Sequence, residues 1–283
     1  MGEALDDLVD LLELEQLEVN LFRGISPQNA RERIFGGQVL AQGLMAAGRT
    51  VDADRPVHSM HAYFLRPGDP HVPIIFDVDR IRDGRSFTTR RVVAIQHGEA
   101  IFNAAASFHV HEEGPDHSDP IPGVPSPDSI AVSIPKPWGD EENPETASPW
   151  AGERPIDMRF PGGDPWSVQG AREPDQDMWL RANGTLPDDQ LIHATVGAYV
   201  SDIALLGTTT MPHWVPESKG FMMASLDHVM WFHREFRADE WLLFHLHSPA
   251  ASGARGFARG SVFRSDGQLA MSIAQEGLIR PIG

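Results

Sequence analysis

Asp202 lies in the stretch HATVGAYVSDIALLG, whose helical spacing leaves little polar surface on any side. A carboxylate in a buried helix is costly unless hydrogen bonds hold it, and burial moves its pKa from the free value. The other placement open to it is the helix end, facing solvent or capping a neighbour. Gln275 poses a similar question on a strand. In QLAMSIAQE, alternation puts Leu269, Met271, Ile273 and Gln275 on one face. The amide either points inward at the end of an apolar face or simply ends a strand. Ser225 shares strand parity with Met223, Asp227, Val229 and Trp231, which turns it toward the core side. Asp227 has the same parity and is a rival acid that the pattern does not separate. Together an acid, a hydroxyl and an amide can hold one water: the acid takes its proton and the other two fix its direction. Such chemistry suits a substrate already reactive toward water, such as a thioester. It needs neither a metal nor a covalent protein intermediate.

Other chemistries lack their residues. The 283-residue chain has no cysteine, which excludes a disulfide framework, a Cys nucleophile, a Cys-ligated zinc and an iron–sulfur cluster. No G-x-S-x-G marks a serine elbow, and neither nucleotide fingerprint, G-x-x-x-x-G-K-[ST] or G-x-G-x-x-G, occurs. His58 and His61 form H-x-x-H, and His245 and His247 form H-x-H; the second pair shares a strand face and could chelate a metal. With 13 histidines in the chain, close pairs are expected by chance, and no metal and no cofactor is expected. The balance of 23 Lys+Arg against 40 Asp+Glu, a formal charge of −17, opposes binding to nucleic acid or to an anionic membrane surface. The acidic, amphipathic start MGEALDDLVDLLELEQ is unlike a secretory signal. The longest apolar stretch, 191–206, is broken by His193 and Asp202, so no membrane insertion is expected. The chain ends Arg-Pro-Ile-Gly, which is no peroxisomal or retention address, and the expected location is cytoplasmic.

The elements that must position these groups follow from periodicity and punctuation. Leu5, Leu8, Leu11 and Leu12 predict a short helix over 3–14; GQVLAQGLMAAGR predicts a buried helix over 37–49. Gly36 and Gly37 stand at its start, where free backbone N–H groups can meet an anion or a carbonyl oxygen. Strands are predicted at 57–66, 72–82, 87–96 and 100–110, then at 178–182, a helix over 189–206, and strands at 222–233, 241–248, 254–264 and 268–277. Residues 112–175 hold 13 of the 23 prolines and read as a surface linker between an N-terminal domain, 1–111, and a C-terminal domain, 176–283. Setting Gly98 against Gly267, an offset of 169, brings Arg90 to Arg259, His58 to Asp227 and Ala106 to Gln275. The halves thus read as a diverged duplication of one unit, a long buried helix followed by an antiparallel meander. The long helix of the first copy, GGQVLAQGLMAAGRT, carries no acid, so one reactive centre per chain is expected, built on the second copy.

Long segments of the chain resemble the acyl-CoA thioesterase II family, the double-hotdog thioesterases. The segments are LFRG, IFGGQVLAQGL, VHSMHAYFLRPGDP, DGRSFTTRRVVAIQHG, MWLRANGTLPDD, LDHVMWFHREF, SGARGFARG and QEGLIR. The resemblance implies an α+β double hotdog, two long helices each wrapped by a curved antiparallel sheet, the sheets joined side by side. It implies hydrolysis of fatty acyl-CoA, with Asp202, Ser225 and Gln275 as the catalytic set and Ser225 standing where threonine is familiar. A substrate with CoA phosphates needs cations, and Arg85, Arg90, Arg91, Arg255 and Arg259 cluster on two corresponding strands. Gly36, Gly37 and His58 are further candidates for substrate contact, though His58 reads more readily as a satisfied core histidine. Met222, Met223, Phe221 and Trp231 could line an acyl tunnel, and 207–221 could form its entrance. By analogy the protein is expected to be a homodimer or higher homo-oligomer. A non-catalytic acyl-CoA-binding module and an enoyl-CoA hydratase on the same fold are the rival readings.

Overall fold

The computed structural model describes residues 3–27, 33–130, 154–163, 170–215 and 220–282. Its centre is a pair of helices made almost wholly of small and apolar residues. Helix α2 (Gly36–Gly48) is buried from Gly37 to Gly48, and α3 (Gln190–Ser201) from His193 to Ser201. Asp189 caps α3 by accepting a hydrogen bond from the Leu191 N–H at 2.9 Å. The two helices run antiparallel and close. A Cβ on Gly37 would lie 2.4 Å from the Tyr199 carbonyl oxygen, and one on Gly48 would lie 2.4 Å from the Leu191 side chain. Only glycine allows that approach. A third helix, α1 (Glu3–Leu12), buries the four predicted leucines.

The strands are β1 (Glu15–Glu18), β2 (Leu21–Gly24), β3 (Val57–Phe64), β4 (Ile74–Asp83), β5 (Phe87–Gln96), β6 (Glu99–His109), β7 (Ile156–Arg159), β8 (Asp175–Ala182), β9 (Phe221–Ser225), β10 (Asp227–Phe232), β11 (Leu242–Ser252), β12 (Arg255–Arg264) and β13 (Leu269–Pro281). They form one continuous antiparallel sheet in the order β1-β2-β4-β5-β6-β3-β10-β13-β12-β11-β8-β7, with β9 beside the far half of β13. The halves join where β3 pairs with β10, Met60 opposite Met230. This is the expected α+β double hotdog. Strands β1 and β2 escape periodicity because they are short, and β1 is exposed along its length. Strand β7 rises from within the proline-rich stretch 112–175 and pairs with β8, so that stretch also supplies sheet. Its residues 131–153 and 164–169 lie outside the described residues.

The duplication is visible in the register, with one adjustment. The β5–β6 pairing closes at Gln96–Glu99 around two residues, His97 and Gly98, both at positive φ. The β12–β13 turn places three residues between Arg264 and Gln268. The extra residue makes the offset 169 for β6 to β13 but 168 for β5 to β12. With it, a bulge at Ile101 (between Ala94/Ile95 and Ala100/Phe102) falls on one at Ala270, and the irregularity between Asp79 and Arg82 falls on that between His247 and Ala250. The structural counterpart of Arg90 is therefore Ala258, not Arg259. The counterpart of His58 is Leu226, not Asp227.

Residues 207–221, expected as an entrance, begin inside a 3-10 helix, Leu206–His213, in which Leu206 and Thr208 to Met211 are buried; 216–219 lie outside the described residues. The run Gln190–His213 is long and apolar enough for a membrane span, yet 72% of its most apolar window is buried in the protein. Its apolarity is that of a core segment.

Among the described residues, Arg90 is the largest fully buried side chain. Its five N–H groups meet Thr50 Oγ1 at 2.8 Å, the Thr50, Arg82 and Thr89 carbonyls at 3.0–3.1 Å, and the Asp83 carboxylate at 2.5 Å. It ties the end of α2 to the β4–β5 hairpin. Arg90→Met should cost about 3 kcal/mol in chemical denaturation, because it strands these acceptors.

Candidate active site

Asp202 is the first residue past α3, with φ −90° and ψ −3°. The C-terminal end of α3 thus delivers its carboxylate to the N-terminal end of α2. A Cβ on Gly36 would stand 2.7 Å from Asp202 Oδ2, and the Gly37 N–H hydrogen-bonds the carboxylate. The free N–H groups foreseen at this glycine pair do meet an anion, and it is the protein's own.

The other donors come from the second sheet half. Gln275 on β13 is completely buried, as the alternation of its strand requires. Its Nε2 donates to Asp202 Oδ1 at 2.7 Å and to Ser225 Oγ at 2.9 Å. The Ser225 hydroxyl in turn hydrogen-bonds Asp202. The strand predicted at 222–233 is broken at Leu226, whose N–H goes to the Glu276 carbonyl while its own carbonyl accepts from Phe64 N–H. That bulge changes parity. Ser225 turns toward Asp202, and His228 and Met230 then face inward while Trp231 faces out. Asp227 is removed from the contest. Its carboxylate accepts the Glu276 N–H at 2.6 Å on the other side of the strand.

Burial pushes the Asp202 carboxyl up to about 6, and the Gln275, Gly37 and Ser225 hydrogen bonds pull the other way without overcoming it. A group at that value is ionised at neutral pH yet basic enough to take a proton. His228 lies beside it, Nδ1 3.8 Å from Asp202 Oδ1. No periodicity pointed to His228, because its inward aim appears only once the bulge at Leu226 is known.

The structure gathers Asp202, Ser225, Gln275, Gly36 and Gly37 at one place; the remaining candidates stand elsewhere. His58 hydrogen-bonds Ser107 Oγ at 2.8 Å and packs edge-on to Phe87 and His109, a half-buried histidine of the first sheet half. Arg90 has no donor left for a phosphate. Arg85 is exposed in the turn between β4 and β5 rather than on a strand, Arg259 is exposed on β12, and Arg91 pairs with Asp79. Arg255 donates to Glu276 at 3.0 Å and stands in the wall of an open groove of roughly 500 Å³, shared with His213, Phe221 and Ile279. Trp231 packs against His61 on the outer face, and Met222 is exposed. His245 and His247 each pair with their own aspartate, Asp177 and Asp175. In the first copy the places of Asp202, Ser225 and Gln275 are held by Gly48, Val57 and Ala106, the helix offset being set by Gly43 and Gly197, which meet the equivalent Phe102 and Met271.

The family follows from comparison with known proteins. Residues 162–278 match the family model described as acyl-CoA thioesterase, and residues 25–109 match its N-terminal domain model. Human acyl-coenzyme A thioesterase 8 is 41% identical across 95% of this chain and 88% of its own length. The chain belongs to the acyl-CoA thioesterase family. Membership makes it a thioester hydrolase. Acyl-CoA thioesterase 2 of Haemophilus influenzae is 38% identical over 99% of both chains. Among solved structures, acyl-CoA thioesterase II TesB2 from Mycobacterium marinum superposes with a TM-score of 0.79 at 41% identity, covering 97% of this chain and 98% of that one. A hot dog fold protein from Alicyclobacillus acidocaldarius, TM-score 0.78 at 18% identity, covers 100% of both and speaks for the fold.

A carboxyl whose pKa is raised by burial stabilises the fold while protonated; that contribution is lost as pH rises through about 6. Asp202→Asn should therefore be more stable than the parent at pH 8, by on the order of 3 kcal/mol, and the gain should vanish toward pH 4. Thermal melts at both pH values check this.

Proposed function

We propose that the chain hydrolyses fatty acyl-CoA to free fatty acid and CoA. In this reading Asp202 is the general base for one water, and Ser225 and Gln275 fix that water's direction. The observation that carries it is the Gln275 amide, bonded at once to the buried Asp202 carboxylate and the Ser225 hydroxyl. Asp202 takes a proton from water as the water oxygen adds to the thioester carbonyl carbon. The C–S bond then breaks, and the leaving sulfur takes the proton from Asp202, which returns to a carboxylate. Gln275 Oε1 is buried with no hydrogen-bond partner and is the natural acceptor for the water's second O–H.

The substrate class is supported by the names of the relatives and by the groove beside Arg255. Phe221 of that groove belongs to the strand of Ser225, and Ile279 to the strand of Gln275. A cation at its wall suits a CoA phosphate. We also read the protein as a homo-oligomer, because Tyr63, Trp231 and Phe257 stand exposed on the outer sheet face.

Thiol release from decanoyl-CoA and palmitoyl-CoA should fall by roughly 10²–10⁴ in Asp202→Ala. An unchanged rate would sink the mechanism. Acyl-CoA binding by the parent without thiol release would favour a binding module; consumption of an enoyl-CoA without thiol release would favour a hydratase. Below about pH 6, kcat/KM of the parent should drop tenfold per pH unit, as the base is protonated. Ala106→Gln should restore nothing to Asp202→Ala, since Gly48 stands where the first copy would need the acid.

A further inference from the structure

We infer that His228 is a positioning residue for the base: its Nδ1 lone pair receives the Asp202 O–H once the carboxylate has taken a proton from water. The inference rests on the reading of Asp202 as that base. His228 has no exposure to solvent. Its Nε2 lies 2.8 Å from Ser201 Oγ, and the Ser201 O–H goes to the Ala198 carbonyl at 2.8 Å. A carbonyl only accepts, so the hydroxyl's single proton is spent there. With the hydroxyl proton on the Ala198 carbonyl, Nε2 is the donor to Ser201 and Nδ1 carries no proton. Nδ1 is also buried with no hydrogen-bond partner, and Asp202 Oδ1 is 3.8 Å away.

An unprotonated ring nitrogen gains nothing from a neighbouring carboxylate, since both are acceptors. It gains a hydrogen bond from the carboxylic acid. The interaction therefore grows as the proton leaves water for Asp202, which lowers the barrier rather than tightening the ground state. The gap is about an ångström longer than a hydrogen bond, and catalytic contacts of this kind close when substrate is in place. Burial pushes the imidazole down to about 3, so it stays neutral and available as an acceptor. The groups held against Asp202 are the backbone of Gly36 and Gly37 from α2, Ser225 from β9, Gln275 from β13 and His228 from β10. Of these only His228 titrates; on α3 itself the buried Tyr199 phenol is pushed up and keeps its proton.

Three variants test this by thiol release from decanoyl-CoA between pH 4.5 and 9. His228→Gln keeps a donor for Ser201 and removes the Nδ1 acceptor. Its kcat should fall roughly 10–100-fold with KM within about twofold, and the acid limb should move below its parental position, because the protonated base has lost its partner. His228→Asn can place an amide oxygen near the Nδ1 position and should recover much of kcat. Ser201→Ala keeps the imidazole but releases its tautomer, so Nδ1–H can donate to the carboxylate. This too should lower kcat and move the limb to lower pH, and it reads the same idea if His228→Gln does not fold. Parental kcat and acid limb in the folded variants would overturn the inference. So would loss of kcat with an unmoved limb and no recovery in His228→Asn, which is the signature of a packing role. Asp202→Asn is measured alongside. Full activity there overturns the base itself, whereas an inactive Asp202→Asn beside parental His228 variants overturns only the role of His228.

Discussion

A carboxylate this deeply buried has to be held by protein donors, and in this molecule those donors come from three separate elements. Gly37 on α2, Ser225 on β9 and Gln275 on β13 each give one hydrogen bond to Asp202 at the end of α3. No two of these elements are neighbours in sequence. The helix pair must come close enough for a backbone N–H to reach the carboxylate, which is why Gly36, Gly37 and Gly48 line the contact. The sheet must bulge at Leu226 so that a serine and a buried histidine can both face inward. The donors do not win outright. Burial still leaves the carboxyl at about 6, closer to neutrality than a free carboxylate.

Duplication explains the scaffold and not the chemistry. Two copies share bulges and strand order, and both bury a glycine-containing helix. In the first, Gly48, Val57 and Ala106 fill the three positions with atoms that can neither donate nor accept through a side chain. The first copy contributes differently: its helix start supplies the N–H to Asp202, and its β3 pairs with β10, which carries His228. The single centre is thus built by both halves though its side chains come from one.

Much of this was legible in the residues. A lone acid in an apolar helix and a lone amide on an apolar strand face pointed to Asp202 and Gln275, because burial of polar groups is costly enough to need a reason. Ser225 was legible in type but not in company. Counting by twos through Leu226 put Asp227 and Trp231 on its face, and only the bulge corrects the count. The arginines misled for a similar reason. A fixed offset cannot register one extra turn residue, so Arg90 was matched to Arg259. Nor does any pattern reveal that five local acceptors already saturate a guanidinium. His58 looked chemical because of its strand, and its serine and aromatic partners are tertiary.

Among the described residues, one feature of the second half has no equivalent in the first. Leu243 and Phe263 face each other across β11 and β12 on the outer side of the sheet, where Ile121, Val124 and Ile130 from the proline-rich stretch pack over them and the Trp179 indole donates to the Pro125 carbonyl. At an offset of 168 the first copy has the same cross-strand pair, Ile75 and Ile95, and both remain partly exposed. The chain therefore makes the same apolar back twice and lays a strap over one of them. Among the described residues, a molecule of two near-equal halves so acquires two unequal outer surfaces, one covered by its own connecting segment and one partly exposed.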